Sequence, residues 1–179
     1  MMRSEDREEL ISHLPALRAY AISLTRSRTR AEDAVQETVL KALSNGDKFE
    51  AGSNMRAWLF TILRNGYYSK RRRRMREVGF TDGIWSASLS VKPDHDGRLQ
   101  MRDFIRAFER LPDEQREILV LVGASGMSYE KAAQITGVPV GTVKSRINRA
   151  RARLASELDL GEGEIGTIDP INLAVMNRA

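Results

Sequence analysis

Met127-Ser128-Tyr129-Glu130-Lys131-Ala132-Ala133-Gln134-Ile135-Thr136-Gly137-Val138-Pro139-Val140-Gly141-Thr142-Val143-Lys144-Ser145-Arg146-Ile147-Asn148-Arg149-Ala150-Arg151-Ala152-Arg153-Leu154 is the most informative run in this chain of 179 residues. Ser128 can cap a short helix over Tyr129 to Thr136, and Gly137-Val138-Pro139 makes a tight turn. A second helix is expected from about Gly141 to about Leu158. A short helix, a glycine-containing turn and a basic helix form the helix-turn-helix pattern. Turning about 100° per residue places Val143, Ile147, Ala150 and Leu154 on one narrow face that must pack on the preceding helices. The opposite face presents Lys144, Ser145, Asn148, Arg149 and Ala152. These are side-chain types able to read base edges: Arg and Lys for guanine, Asn for adenine, a methyl for thymine. Arg146, Arg151 and Arg153 fall on the flanks, where phosphates would lie. An ordinary solvated basic face is the competing reading, and the complete lack of acids from Gly141 to Leu154 weighs against it.

Working outward, the helical period continues upstream. Leu99 to Leu111 reads as one helix. Pro112 suits the first position of the next, with Asp113 and Glu114 favourable at its positive end. That helix carries Ile118, Leu119, Leu121 and Val122 and is expected to stop at Gly123-Ala124-Ser125-Gly126. From Gly79 to about Gly97 periodicity fails, and the stretch reads as a linker. Phe80, Ile84, Trp85, Leu89 and Val91 give that linker more apolar content than a spacer needs. Ahead of it, Ile11, Leu14, Leu17, Ala21 and Leu24 recur at three- and four-residue steps. Thr29 and Glu32 form a capping-box pair before the stripe Ala34, Val35, Thr38, Val39, Ala42 and Leu43. A third helix is expected from about Asn54 to Asn65, and a fourth from Tyr67 through the basic run. After Asp159 the chain turns acidic and glycine-rich, reading as a loose tail. The fold class is all-α.

Composition narrows the function. There are 29 Lys+Arg against 24 Asp+Glu, a formal charge of +5. Seven of those bases lie between Arg64 and Arg76 and five between Gly141 and Leu154, with no acid in either tract; this segregation says more than the net value. Cysteine is absent, which excludes disulfides, thiolate catalysis and Cys-ligated metal. The two histidines, His13 and His95, are far apart in sequence, so no metal site and no cofactor is expected. Without clustered His, Cys or paired acids no reaction class can be assigned, and an enzyme is not expected. There is no secretory signal and no run long enough to span a membrane, so the expected location is the cytoplasm.

Two further constellations stand out. Trp58-Leu59-Phe60 and Asn65-Gly66-Tyr67-Tyr68 lead into Lys70-Arg71-Arg72-Arg73-Arg74. Stacking surfaces beside phosphate-neutralising charge are what a single strand requires. Trp58 alone, at helical spacing from Met55, Leu59 and Ile62, reads more readily as a core residue than as a base platform. On the Glu32–Leu43 helix, Asp33, Gln36, Glu37 and Leu40 share one outward face. Taken alone that face reads better as a solvated surface than as a docking patch for a basic protein.

Taken together, Asp33-Ala34-Val35-Gln36-Glu37-Thr38, Trp58-Leu59-Phe60 with Arg64-Asn65, Leu111-Pro112 with Arg116-Glu117-Ile118-Leu119, Met127-Ser128-Tyr129-Glu130-Lys131-Ala132-Ala133 and Gly141-Thr142-Val143-Lys144-Ser145-Arg146 resemble an extracytoplasmic-function sigma factor over about residues 8–158. The resemblance implies two small helical domains joined by a flexible linker: region 2 at 8–78, linker 79–98, region 4 at 99–158 and a tail at 159–179. It implies binding to core RNA polymerase and direction of that enzyme to promoter DNA. Asp33, Gln36, Glu37 and Leu40 would then dock the polymerase. Trp58, Asn65, Tyr67, Lys70, Arg71, Arg72, Arg73 and Arg74 would hold the melted −10 element. Thr142, Lys144, Ser145, Arg146, Asn148, Arg149, Arg151 and Arg153 would bind the double-stranded −35 element.

Ser69 stands where many family members have Asp. With Arg76-Glu77-Val78 following, this resembles the alphaproteobacterial general stress response (EcfG-type) subgroup. That implies a small NepR-type anti-sigma factor as inhibitor, expected to engage both domains across the linker. The alternatives are a sigma-like mimic that sequesters an anti-sigma factor, and a stand-alone helix-turn-helix regulator. The mimic should have relaxed its basic tracts, and the regulator leaves the N-terminal half unexplained.

Overall fold

A computed structural model of the chain describes residues 3–50, 52–78 and 97–159. The expected linker residues Phe80, Ile84, Trp85, Leu89 and Val91, and the expected tail beyond Asp159, lie outside them. The chain divides into two compact units, Met1–Leu89 and Ser90–Ala179. Among the described residues every regular element is helical.

In the first unit, α1 (Ser4–Ser12) and α2 (Leu14–Thr25) replace the single amphipathic helix expected from the apolar spacing. Pro15 has no N–H to offer the Ile11 carbonyl, and its ring crowds that oxygen. The helix therefore ends at Ser12, His13 forms the junction, and Ile11 is 60% exposed rather than in the core. Leu17, Tyr20, Ala21 and Leu24 are buried, and the Tyr20 ring stacks on Phe60 with centroids 4.8 Å apart.

The next helix, α3 (Arg28–Ser44), begins one residue ahead of the expected cap. Ser27 caps it, its hydroxyl accepting from the Arg30 N–H at 3.4 Å. Thr29 therefore lies inside the helix, and Glu32 pairs with Arg18 of α2 at 3.3 Å instead of closing a capping box. The buried stripe is Ala31, Val35, Thr38 and Ala42. Leu43, expected in it, is exposed.

Asn54 caps α4 (Met55–Val78), its side-chain oxygen accepting from the Ala57 N–H at 2.8 Å. The two helices expected on either side of Gly66 are this one continuous helix. A mid-helix glycine costs only about 1 kcal/mol. Met55, Leu59, Phe60 and Leu63 are fully buried just before it, and burying each such side chain is worth about 1.5–3 kcal/mol. Packing outweighs the breaker. Beyond Ser69 the helix buries nothing: residues 69 to 77 are all exposed.

In the second unit, α5 (Gly97–Arg110) leads through Leu111 and Pro112 into α6 (Asp113–Leu119). Pro112 occupies the cap position, one residue before the helical start expected for it. Arg116 is fully buried. Its guanidinium donates to the Asp113 carboxylate at 2.7 Å and to the Leu111 carbonyl at 3.0 Å, locking the corner between α5 and α6.

The chain does not stop at Gly123 as its glycines suggest. A π turn, Val120–Ala124, prolongs α6, with the Ser125 N–H donating to the Val120 carbonyl at 2.8 Å. Widening the turn lets the helix absorb residues that a regular α-helix would shed.

Ser128 caps α7 (Tyr129–Thr136), its hydroxyl accepting from the Lys131 N–H. Gly137 ends α7 at φ +69°, where a side chain would be strained. Then α8 (Val140–Leu158) buries Val143, Ile147, Ala150 and Leu154, as its periodicity predicts. Ala150 and Leu154 close a core with Phe104, Ala107, Leu111 and Leu119.

Candidate nucleic-acid interface

With its apolar face buried, α8 presents the opposite face outward. Lys144, Asn148, Arg149 and Ala152 are exposed, and Ser145 is half-buried. The Ser145 hydroxyl donates to the Thr142 carbonyl at 3.0 Å and receives the Arg149 guanidinium at 3.1 Å. This short relay holds Arg149 along the helix surface before any ligand arrives. Arg153 is exposed and Arg151 half-buried on the flanks. The third flanking residue, Arg146, is pulled inward, 2.5 Å from Glu114 of α6. Sequence spacing places Arg146 correctly on the flank but carries no sign of this carboxylate from another helix.

The first unit holds a groove of 740 Å³ between α3 and α4. Glu37 and Lys41 of α3 form one wall, and Asn45 and Lys48 of the following turn form the end. From α4 come Trp58, Ile62, Asn65 and Gly66, then Ser69, Lys70, Arg73 and Arg76. Trp58 is half-buried and leans on Phe49, with ring centroids 5.1 Å apart. One face of an aromatic ring, an exposed amide and five cations in one trough can stack a base and neutralise phosphates.

Of the residues expected on this surface, the groove gathers Trp58, Asn65, Lys70 and Arg73. Tyr67 lies off it, edge-on to Tyr68 at 5.1 Å. Arg71, Arg72 and Arg74 are exposed elsewhere on α4, and Arg72 donates to Ser69 at 3.2 Å. Sequence reasoning missed Lys41, Lys48 and Arg76. The signal for Arg76 was available: 66, 69, 70, 73 and 76 recur at helical steps once Gly66 is not taken as a break. Lys41 and Lys48 belong to other elements and need the tertiary fold.

The acidic face of α3 is also divided. Asp33, Gln36 and Leu40 stand exposed, with Leu40 65% accessible. Glu37 does not share their outward setting. It turns toward α4, paired with Lys41 at 2.9 Å and directly with Lys70. The Lys70 bond first, and Lys41 second, hold its carboxyl below the usual glutamate range, so it is ionised at neutral pH. Among the described residues no group of three or more His, Cys, Asp or Glu could hold a metal ion. No helix among them is long and apolar enough to cross a membrane.

Comparison with known proteins bears on this arrangement. Residues 10–77 match the model of sigma-70 region 2, and residues 101–154 match that of sigma-70 region 4. The chain is 48% identical to the ECF RNA polymerase sigma factor EcfG of Rhodopseudomonas palustris, over 94% of each chain. It is 34% identical to the ECF RNA polymerase sigma factor SigC of Mycobacterium tuberculosis, over 72% of this chain and 70% of that one. Among solved structures, it is similar to the sigma factor RpoE of Bartonella quintana, solved in complex with the anti-sigma factor NepR. Identity there is 49%, the TM-score is 0.78, and the match covers 89% of this chain and 100% of that one.

Proposed function

We propose a function in promoter-specific transcription initiation from one premise: the chain belongs to the extracytoplasmic-function RNA polymerase sigma factors of the sigma-70 family. It binds core RNA polymerase and directs it to promoters, and its resemblance to EcfG assigns those promoters to general stress response genes. The observation that supports this reading is two separate basic surfaces of different design on one chain. The α8 face suits base edges of duplex DNA. The α3/α4 groove suits a melted strand. A stand-alone regulator needs only the first.

The residue roles follow from that reading. Lys144, Asn148 and Arg149 read the −35 element, Ser145 and Thr142 orient Arg149, and Arg151 and Arg153 meet phosphates. Trp58, Asn65, Lys70 and Arg73 hold the −10 strand. Asp33, Gln36 and Leu40 form the polymerase-docking patch, with Glu37 at its edge. Residues 8–78 and 99–158 act as the two working domains, joined through 79–98. The protein works in the cytoplasm as a regulatory protein, without a reaction of its own. A NepR-type anti-sigma factor is its inhibitor, by analogy with the Bartonella complex.

Run-off transcription tests the whole reading. Core polymerase plus this protein should initiate at defined sites on genomic fragments with no other factor. Specific shifting of promoter fragments by the protein alone, with no run-off product from core enzyme, would make it a stand-alone regulator.

A further inference from the structure

Glu37 is the single carboxylate among the residues that line the α3/α4 groove. Two of the groove's five cations, Lys41 and Lys70, are bonded to it. Its side chain is only 32% exposed, so the contact is sheltered from solvent on one side. A phosphate entering beside Trp58 would meet this negative charge and two lysines already engaged. We propose that Glu37 is an electrostatic latch on the strand groove, keeping Lys41 and Lys70 from nucleic-acid phosphates in the free protein. The inference rests on the groove being the strand site.

The physical argument is competition for the same ammonium groups. A bound phosphate must replace the Glu37 carboxylate at Lys70 and Lys41, and the displaced carboxylate then faces the strand with like charge. Lys48, Arg73 and Arg76 supply attraction throughout, although Arg73 is also shared with Glu77 at 3.3 Å. The latched groove therefore binds stray single strands weakly. It engages fully only where a strand is presented at high local concentration or where the carboxylate is drawn aside. Glu37 thus sets specificity by suppressing indiscriminate binding, and contributes no attraction of its own.

The test uses the full chain and a fluorescent single-stranded DNA oligonucleotide of mixed sequence, titrated by anisotropy over a range of salt. Glu37→Gln keeps the shape of the side chain and removes its charge. Glu8→Gln removes the same charge from an exposed site on α1. Each freed cation adds about 0.7 to the slope of log affinity against log salt for single strands. Glu37→Gln should therefore steepen the slope by about 1.4 and tighten binding on the order of ten-fold near 0.1 M salt. Glu8→Gln should change affinity by less than about two-fold, because only screened long-range charge is altered. Adding Lys70→Gln to Glu37→Gln should remove about half of the gained slope. If the wild type binds and Glu37→Gln is no tighter than Glu8→Gln, or is tighter with an unchanged slope, the latch is wrong and the groove survives. If neither the wild type nor Glu37→Gln binds the oligonucleotide even at low salt, the strand groove itself is wrong and the latch falls with it.

Discussion

Both α8 and the distal half of α4 are basic helices, yet they are held in opposite ways. The helix α8 is anchored along its length: Val143, Ile147, Ala150 and Leu154 recur on a buried face, and the basic face is the remainder. The distal part of α4 has its buried apolar anchor only at its root, in Met55, Leu59, Phe60 and Leu63, and residues 69 to 77 extend as an exposed rod tied to α3 through the Lys70–Glu37 ion pair. A helix fixed along its length can place a side chain against one base pair. A rod without a buried face of its own positions charge, and on the proposed reading its ligand is selected by the trough built beside it by α3 and the Asn45–Lys48 turn. Rigid anchoring suits reading, and a walled trough suits capture.

The largest expected effect removes the anchor. Ile147→Ala should cost about 2–5 kcal/mol, because a fully buried branched side chain leaves a cavity between α8 and its neighbours. Urea unfolding followed by circular dichroism should show the loss in the second unit. Retention of full stability would mean that α8 is not held as described.

A smaller effect separates reading from capture. Arg149→Ala should cost about 1–3 kcal/mol at one −35 position and flatten preference there. Replacing Lys70 and Arg73 together should weaken binding evenly across sequences and reduce the salt slope. Selection of binding sites from a randomised pool distinguishes the two, and identical profiles for wild type and Arg149→Ala would remove Arg149 from the reading face.

The docking patch should respond less. Asp33→Lys reverses an exposed charge and should weaken competition for core polymerase by about 1 kcal/mol, roughly five-fold, with no change in folding. Undiminished competition would move the docking site elsewhere. The smallest effect has the opposite sign. Gly66→Ala should stabilise the first unit by about 0.5 kcal/mol, since α4 runs straight through this position and an added Cβ would meet only the Lys41 amine at 3.7 Å. Destabilisation in thermal melts would show that α4 needs glycine there.

These contrasts also explain what the sequence disclosed. The α8 face was legible because a helix buried along one stripe advertises it at every third and fourth residue, and Ser128 and Gly137 mark the ends of α7 by local chemistry alone. The groove was half legible. Trp58, Asn65, Lys70 and Arg73 lie on one helix, but Lys41 and Lys48 reach it from elements that no periodicity links to α4. Helical steps place Glu37 on the outward face because they cannot show which neighbour a borderline residue meets, and Lys70 of α4 draws it toward the groove. Local breaker signals misled at Gly66 and Gly123, where packing and a π turn carried the helix onward. At Pro15 the same kind of signal prevails over the apolar spacing, and the helix breaks.

The central claim is that one chain reads duplex with α8 and captures a melted strand with the α4 groove. Footprinting of promoter complexes formed with core polymerase measures both at once, through upstream protection from nuclease and permanganate reactivity of downstream thymines. With Lys70 and Arg73 replaced by alanine, the upstream protection should persist while the reactive thymines disappear. With Arg149→Ala, protection should need several-fold more protein, and thymine reactivity should return at saturation. Loss of protection and opening together in the Lys70/Arg73 variant, or opening that survives unchanged, would contradict the division of labour between the two helices.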